Sequence, residues 1–120
     1  MTRLFALLLS LSLPTAALAQ ARPAITGISH IAVYTTHPEG AEKYYVHDIG
    51  LLKGPDPENP QGVRYYVNAA QFVEVLPLPA GGGPDRLDHL AYITADAEGL
   101  RAYLAAHKVE VPAQVEHGSD

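Results

Sequence analysis

Two histidines and one glutamate carry the chemistry that this sequence suggests. His30 and His89 lie 59 residues apart, at the same place in two copies of one pattern. SHIAVYTTHPEGAEKYY, from Ser29, and DHLAYITADAEGLRAYL, from Asp88, align without a gap. The pairs His30/His89, Ala32/Ala91, Thr35/Thr94, Glu39/Glu98, Gly40/Gly99 and Tyr44/Tyr103 are identical. An internal repeat implies pseudo-symmetry, so the two imidazoles stand at matching points on two matching strands. Glu74, in a strand-like run between the copies, adds a carboxylate. Two neutral imidazoles and a carboxylate suit Zn²⁺, Fe²⁺, Ni²⁺ or Mn²⁺. Three protein ligands leave positions open on such an ion. A substrate with two adjacent oxygens can displace water there, and the cation then stabilises the oxyanion as a Lewis acid. Glu74 can ligate or, as a carboxylate beside the metal, take the proton as a base.

Each residue also has a plainer use. An inward strand histidine is commonly a hydrogen-bonded core residue. Glu74 stands between Phe72 and Leu76 on a sheet face, where an unpaired buried carboxylate is costly; a metal or Arg64 would meet its need. His37, His47, His107 and His117 fall at helix ends or in loops and read as solvated. Tyr44 and Tyr103 share one helical position of the repeat and read as core. Gly81-Gly82-Gly83 lacks the Lys-Ser/Thr that follows in a phosphate-binding loop and reads as linker.

The elements that must position these residues follow from patterning. Alternation over Gly27 to Thr35 predicts a first strand with Ile28, His30, Ala32 and Tyr34 on one face. Thr36 or His37 caps a helix with Pro38 in its first turn, running to about Ile49 with Gly50 as the stop. Ala41, Tyr44, Tyr45 and Val46 are placed to cover a sheet. Leu51 to Gly54 is a short strand and Pro55 to Gly62 a loop. Val63 to Val67 and Gln71 to Leu76 are the third and fourth strands. The expected fold class is α+β, with a βαβββ module over residues 25–76, a Pro/Gly linker over 77–85 and a partial second module over 86–120. Arg86 to Thr94 repeats the strand, Ala97 to His107 repeats the helix, and Val109-Glu110-Val111 opens a further strand. Strand alternation puts His30, Glu74 and His89 on one face.

Residues 1–19 read as a secretory signal peptide. Arg3 is the basic flank, Leu4 to Leu13 the apolar run, and Ala17-Leu18-Ala19 the cleavage pattern before Gln20. The run is shorter than the ~20 residues that span a bilayer. A secreted or periplasmic protein, off the membrane after cleavage, is therefore expected. The chain has no Cys, so export brings no disulfide. Its formal net charge is −5, with 8 Lys and Arg against 13 Asp and Glu, which is no nucleic-acid footprint.

Taken in order, SHIAVYTTHPEGAEKYYVHDIGL, QFVEVLPLP and LDHLAYITADAEGLRAYLAAHKVEV resemble the vicinal oxygen chelate superfamily, also called the glyoxalase/bleomycin-resistance/dioxygenase family. The aromatic pair Tyr44-Tyr45 followed by Ile49-Gly50-Leu51 is part of the likeness, which covers Ile25 to about Glu116. The resemblance implies two βαβββ modules that form a cupped sheet around a divalent metal ion (Zn, Ni, Fe or Mn). It implies His30, Glu74 and His89 as ligands and Glu74 as the catalytic residue. The family's fourth ligand, usually a Glu on the last strand of the second module, has no counterpart, so the second module reads as truncated. The implied activity is metal-dependent lyase, isomerase or dioxygenase chemistry on a small substrate with adjacent oxygens. Glu74 in the first module fits the lyase and isomerase pattern better. Export argues against a glutathione-dependent glyoxalase, because glutathione is a cytosolic thiol. The same resemblance admits a non-catalytic, drug-sequestering module of the bleomycin-resistance type, which dimerises and needs no metal, or a fragment without independent activity. The implied partner is a small-molecule substrate or ligand, with a homodimer as one way to pair modules.

Overall fold

Period-two patterning and a short crossover helix produce a single mixed sheet. The computed structural model describes residues 21–118, so the signal-peptide reading of residues 1–19 lies outside the described residues. Strands β1 (Ile25–Thr35), β2 (Leu52–Pro55), β3 (Val63–Asn68), β4 (Gln71–Pro77) and β5 (Leu87–Thr94) are ordered β2-β3-β4-β1-β5. β1 runs parallel to β4, and every other neighbouring pair is antiparallel. A parallel pair needs a crossover. Helix α1 (Pro38–Glu42), continued by a π-helical turn Lys43–Asp48, supplies part of it. Helix α2 (Ala97–Ala106) follows β5. The fold class is α+β, an open five-stranded sheet with two helices.

The register divides the sheet into two unlike faces. Ile31, Val33, Val63, Tyr65, Val73 and Val75 are ladder partners on one face. Tyr45, from the π-helical turn, stacks on Tyr65 there at 4.8 Å between ring centroids. His30, Ala32, Arg64, Tyr66, Phe72 and Glu74 share the opposite face. Among the described residues the buried apolar side chains are Ala32, Tyr65 and Val75. Ala32 lies between Glu74 on β4 and His89 on β5, and its small side chain leaves room for those two to approach.

The repeat appears as a local two-fold relation between β1 and β5. Ile31 pairs with its own counterpart Leu90, His30 with Ala91, and Ala32 with His89. Both departures from regular pairing beside the histidines obey the same relation. On β1 one extra residue, Ser29, intervenes between Ile28 and His30, opposite the consecutive Tyr92 and Ala91. On β5 one extra residue, Asp88, intervenes between Leu87 and His89, opposite the consecutive Val33 and Ala32. The strand exits match as well. Thr35 Oγ1 accepts from the His37 N–H at 2.9 Å, and its counterpart Thr94 Oγ1 accepts from the Asp96 N–H at 3.3 Å. His37 and Asp96 then enter their helices at nearly equal φ and ψ.

Three expectations are corrected. The first helix is not regular to Ile49: residues 43–48 follow the π repeat, with the Ile49 N–H donating to Tyr44 O, and Lys43 pairs with Asp48 five residues on at 2.7 Å. The wider turn brings Tyr45 and Val46 toward the sheet and leaves Tyr44 53% exposed, so Tyr44 is not core. Val109 to Val111 forms no strand; the chain leaves α2 through Lys108 in a left-handed conformation, and the Arg101 guanidinium donates to Pro112 O at 3.3 Å. Gly50 ends the first helical segment with φ +77°, as expected of the residue that best tolerates that region.

Candidate metal centre

Three strands deliver the three donors to one point. β1 presents His30, β4 presents Glu74 and β5 presents His89, and their ligand atoms form one group. The two Nε2 atoms are 2.9 Å apart, and each lies 4.0 Å from Glu74 Oε2. The point equidistant from the corners of a triangle with those sides is about 2.1 Å from each donor. That is the length of a Zn–N or Zn–O bond, so the spacing of the three donors is compatible with a divalent ion. Glu74 forms the buried floor, His30 is mostly covered, and His89 is 47% exposed at the sheet edge. The rings are held from the side: His30 stacks on Phe72 at 4.5 Å and meets His89 edge-on.

The two other ring nitrogens are engaged. Ser29 Oγ lies 3.2 Å from His30 Nδ1. His89 Nδ1 is 2.8 Å from Asp88 Oδ2, and Asp88 Oδ1 accepts from the Tyr34 hydroxyl at 2.6 Å. The Tyr34 hydrogen bond, then that of His89, holds the Asp88 carboxyl below its ordinary pKa. The same bond to Asp88 pushes the Tyr34 hydroxyl up.

Beneath the triad, the β2–β3 loop folds back over Glu74. Asp56 Oδ1 accepts from the Glu58 and Asn59 backbone N–H groups at 3.0 and 3.2 Å, a turn that its short side chain favours. The turn aims Asn59 Nδ2 at Glu74 Oε1, to which it donates at 2.9 Å, leaving Oε2 toward the imidazoles. Burial raises the Glu74 pKa, and the Asp56 carboxyl close beside it raises it further. Asp56 stays below its ordinary pKa even though burial, the largest influence, pushes it up. The neighbouring Glu74 carboxyl, the two backbone N–H groups and the Arg64 charge outweigh that burial. Buried Arg64 covers the Phe72 ring at 4.3 Å and lies 3.4 Å from Asp56 Oδ1.

His30, Glu74 and His89 thus converge as the strand alternation predicts. His37, His47, His107 and His117 are exposed and outside the group. Asp56, Asn59, Ser29 and Asp88 were not singled out by the sequence. The Asp-Pro-Glu-Asn run is a turn signal whose target is set only by the fold. Alternation alone would turn Ser29 and Asp88 away from their histidines; the paired bulges turn them back. The available signal was an oxygen-bearing residue before the histidine in both copies. A cleft of about 460 Å³ is lined by Tyr34, Asn59, Pro60, Gln61, Leu76 and Pro77; of these, Tyr34 bonds to Asp88 and Asn59 to Glu74.

No family model, no curated protein and no solved structure matches the chain. No helix among the described residues is long and apolar enough to cross a membrane.

Proposed function

We propose that this chain is an exported, glyoxalase-like member of the vicinal oxygen chelate superfamily, acting by metal-dependent lyase or isomerase chemistry on a small substrate with adjacent oxygens. The observation that carries the reading is the convergence of two imidazoles and one carboxylate, from three strands, at bond distance from a common point. The β2-β3-β4-β1 order, with β1 parallel to β4 and a matching β5 beside β1, is compatible with a glyoxalase-like module and the start of its pseudo-symmetric partner. When bound, a divalent ion supplies Lewis-acid polarisation of the substrate oxygens. His30, His89 and Glu74 would hold it. As an alternative to ligating, a Glu74 carboxylate standing beside the ion can take the substrate's proton as a base. Asn59 occupies Oε1, so Oε2 is the working atom. The cleft at Tyr34 and Asn59 has the volume of a small-molecule site.

Calorimetric titration with Zn²⁺ or Ni²⁺ tests the reading. One ion per chain is expected. His30→Ala should weaken binding by more than the roughly 10–100-fold typical of losing an outer partner, whereas His107→Ala should leave it unchanged. Equal affinity in the two variants removes the site. Ligand binding without metal affinity would favour the sequestering module instead.

A further inference from the structure

We infer that Ser29 and Asp88 are the positioning residues of the two imidazoles, turned toward them by the paired bulges, and that they differ because the two rings hold their protons differently. The inference rests on the metal reading. An ionised carboxylate only accepts hydrogen bonds, so Asp88 requires a proton on His89 Nδ1, 2.8 Å away, and leaves Nε2 bare in the neutral ring. Tyr34 keeps Asp88 in place through its other oxygen. His30 Nε2 lies 2.9 Å from that bare nitrogen and therefore donates to it. His30 Nδ1 is then an acceptor, and the Ser29 hydroxyl donates to it at 3.2 Å.

Metal binding requires both Nε2 atoms bare. His89 already meets the condition. His30 must give up its Nε2 proton to solvent and take one at Nδ1, with no change in ring charge. Ser29 Oγ then accepts where it had donated. A hydroxyl can do both, and a carboxylate cannot. Serine thus suits the ring that changes tautomer and aspartate the ring that does not. Both side chains reach their rings because each stands one residue out of the β1–β5 ladder. Partners of this kind orient metal-ligating imidazoles and raise their basicity.

Long-range ¹⁵N–¹H NMR correlations read the tautomers directly, with or without metal. In the metal-free protein near neutral pH, His89 should carry its proton on Nδ1 and His30 on Nε2. On adding Zn²⁺, His30 should move to the Nδ1–H form and His89 should not change. Asp88→Asn, whose amide can donate as well as accept, should abolish the His89 preference and weaken Zn²⁺ binding by roughly 10–100-fold. Tyr34→Phe, which keeps the carboxylate, should produce a smaller change in the same direction. A His89 ring protonated on Nε2, or an Asp88→Asn variant with unaltered tautomer and affinity, overturns the inference. Wild-type protein with both expected metal-free tautomers but no affinity for Zn²⁺ supports the orienting roles and overturns the metal reading.

Discussion

At the scale of single residues, Glu74 combines a cost and a use. Its carboxyl is nearly fully buried, and burial raises its pKa. Asn59 donates to Oε1, the Asp56 carboxyl stands close by, and the two imidazoles stand above Oε2. Ionising such a group without a cation nearby opposes folding. Glu74→Gln removes that charge while keeping an acceptor for Asn59 and setting an uncharged amide toward the imidazoles. At neutral pH the metal-free variant should melt at a higher temperature than the wild type, yet lose the stabilisation by Zn²⁺. Calorimetric melts of both proteins, with and without the ion, check this; a lower metal-free Tm in Glu74→Gln would show that the carboxylate is paid for by contacts other than a metal. The triad itself was legible from the repeat and from strand alternation. Its polar supports were not, because a loop fold-back and two bulges break the simple periods on which such reading depends.

At the scale of elements, the repeat is expressed in backbone as well as in sequence. Thr35 and Thr94 make the same turn, His37 and Asp96 enter helices at like angles, and Ile31 faces Leu90 across the local axis. The copies diverge in how their helices are built and ended. The first passes into a π-helical turn and stops at Gly50 with φ +77°. The second is capped by Asp96, whose side chain accepts from the Gly99 N–H at 2.7 Å, and exits through Lys108 at φ +63°. A side chain in that region clashes with its own backbone, at about 1 kcal/mol or more. Lys108→Gly should therefore raise stability by about 1 kcal/mol, offset in part by the extra freedom of glycine in the unfolded chain. Urea titration reads the change; an unchanged or lower midpoint would mean that the lysine side chain contributes more than the strained φ costs.

At the scale of the whole molecule, the proposed ion would link stability to the protons on its three donors. Because the Glu74 pKa is raised in the fold, its contribution to metal-free stability is present below the ordinary carboxylate value. That contribution is lost as pH rises through the raised value. Zn²⁺ needs the ionised form, so its stabilising effect should grow over the same interval. At a free concentration a hundredfold above Kd, an ion that binds only the folded state adds about 2.7 kcal/mol. Melts from pH 4 to pH 8 should show the Zn²⁺-induced rise in Tm increasing with pH, because the imidazoles as well as the carboxylate must be unprotonated to ligate; a pH-independent rise would place the ion away from all three donors.

The sequence by itself determined the order of elements from β1 to α2 and the face shared by His30, Glu74 and His89, because each depends on local period. Tertiary structure decided the rest. The parallel β1–β4 and antiparallel β1–β5 pairings bring together donors that are far apart in the chain, and no local pattern encodes a distance between strands. The exposure of Tyr44 follows from the register of a π-helical turn that helical periodicity cannot anticipate. Ser29 and Asp88 face their histidines only because each strand carries one residue more than its partner at that point, a mismatch that exists only once the two strands are paired.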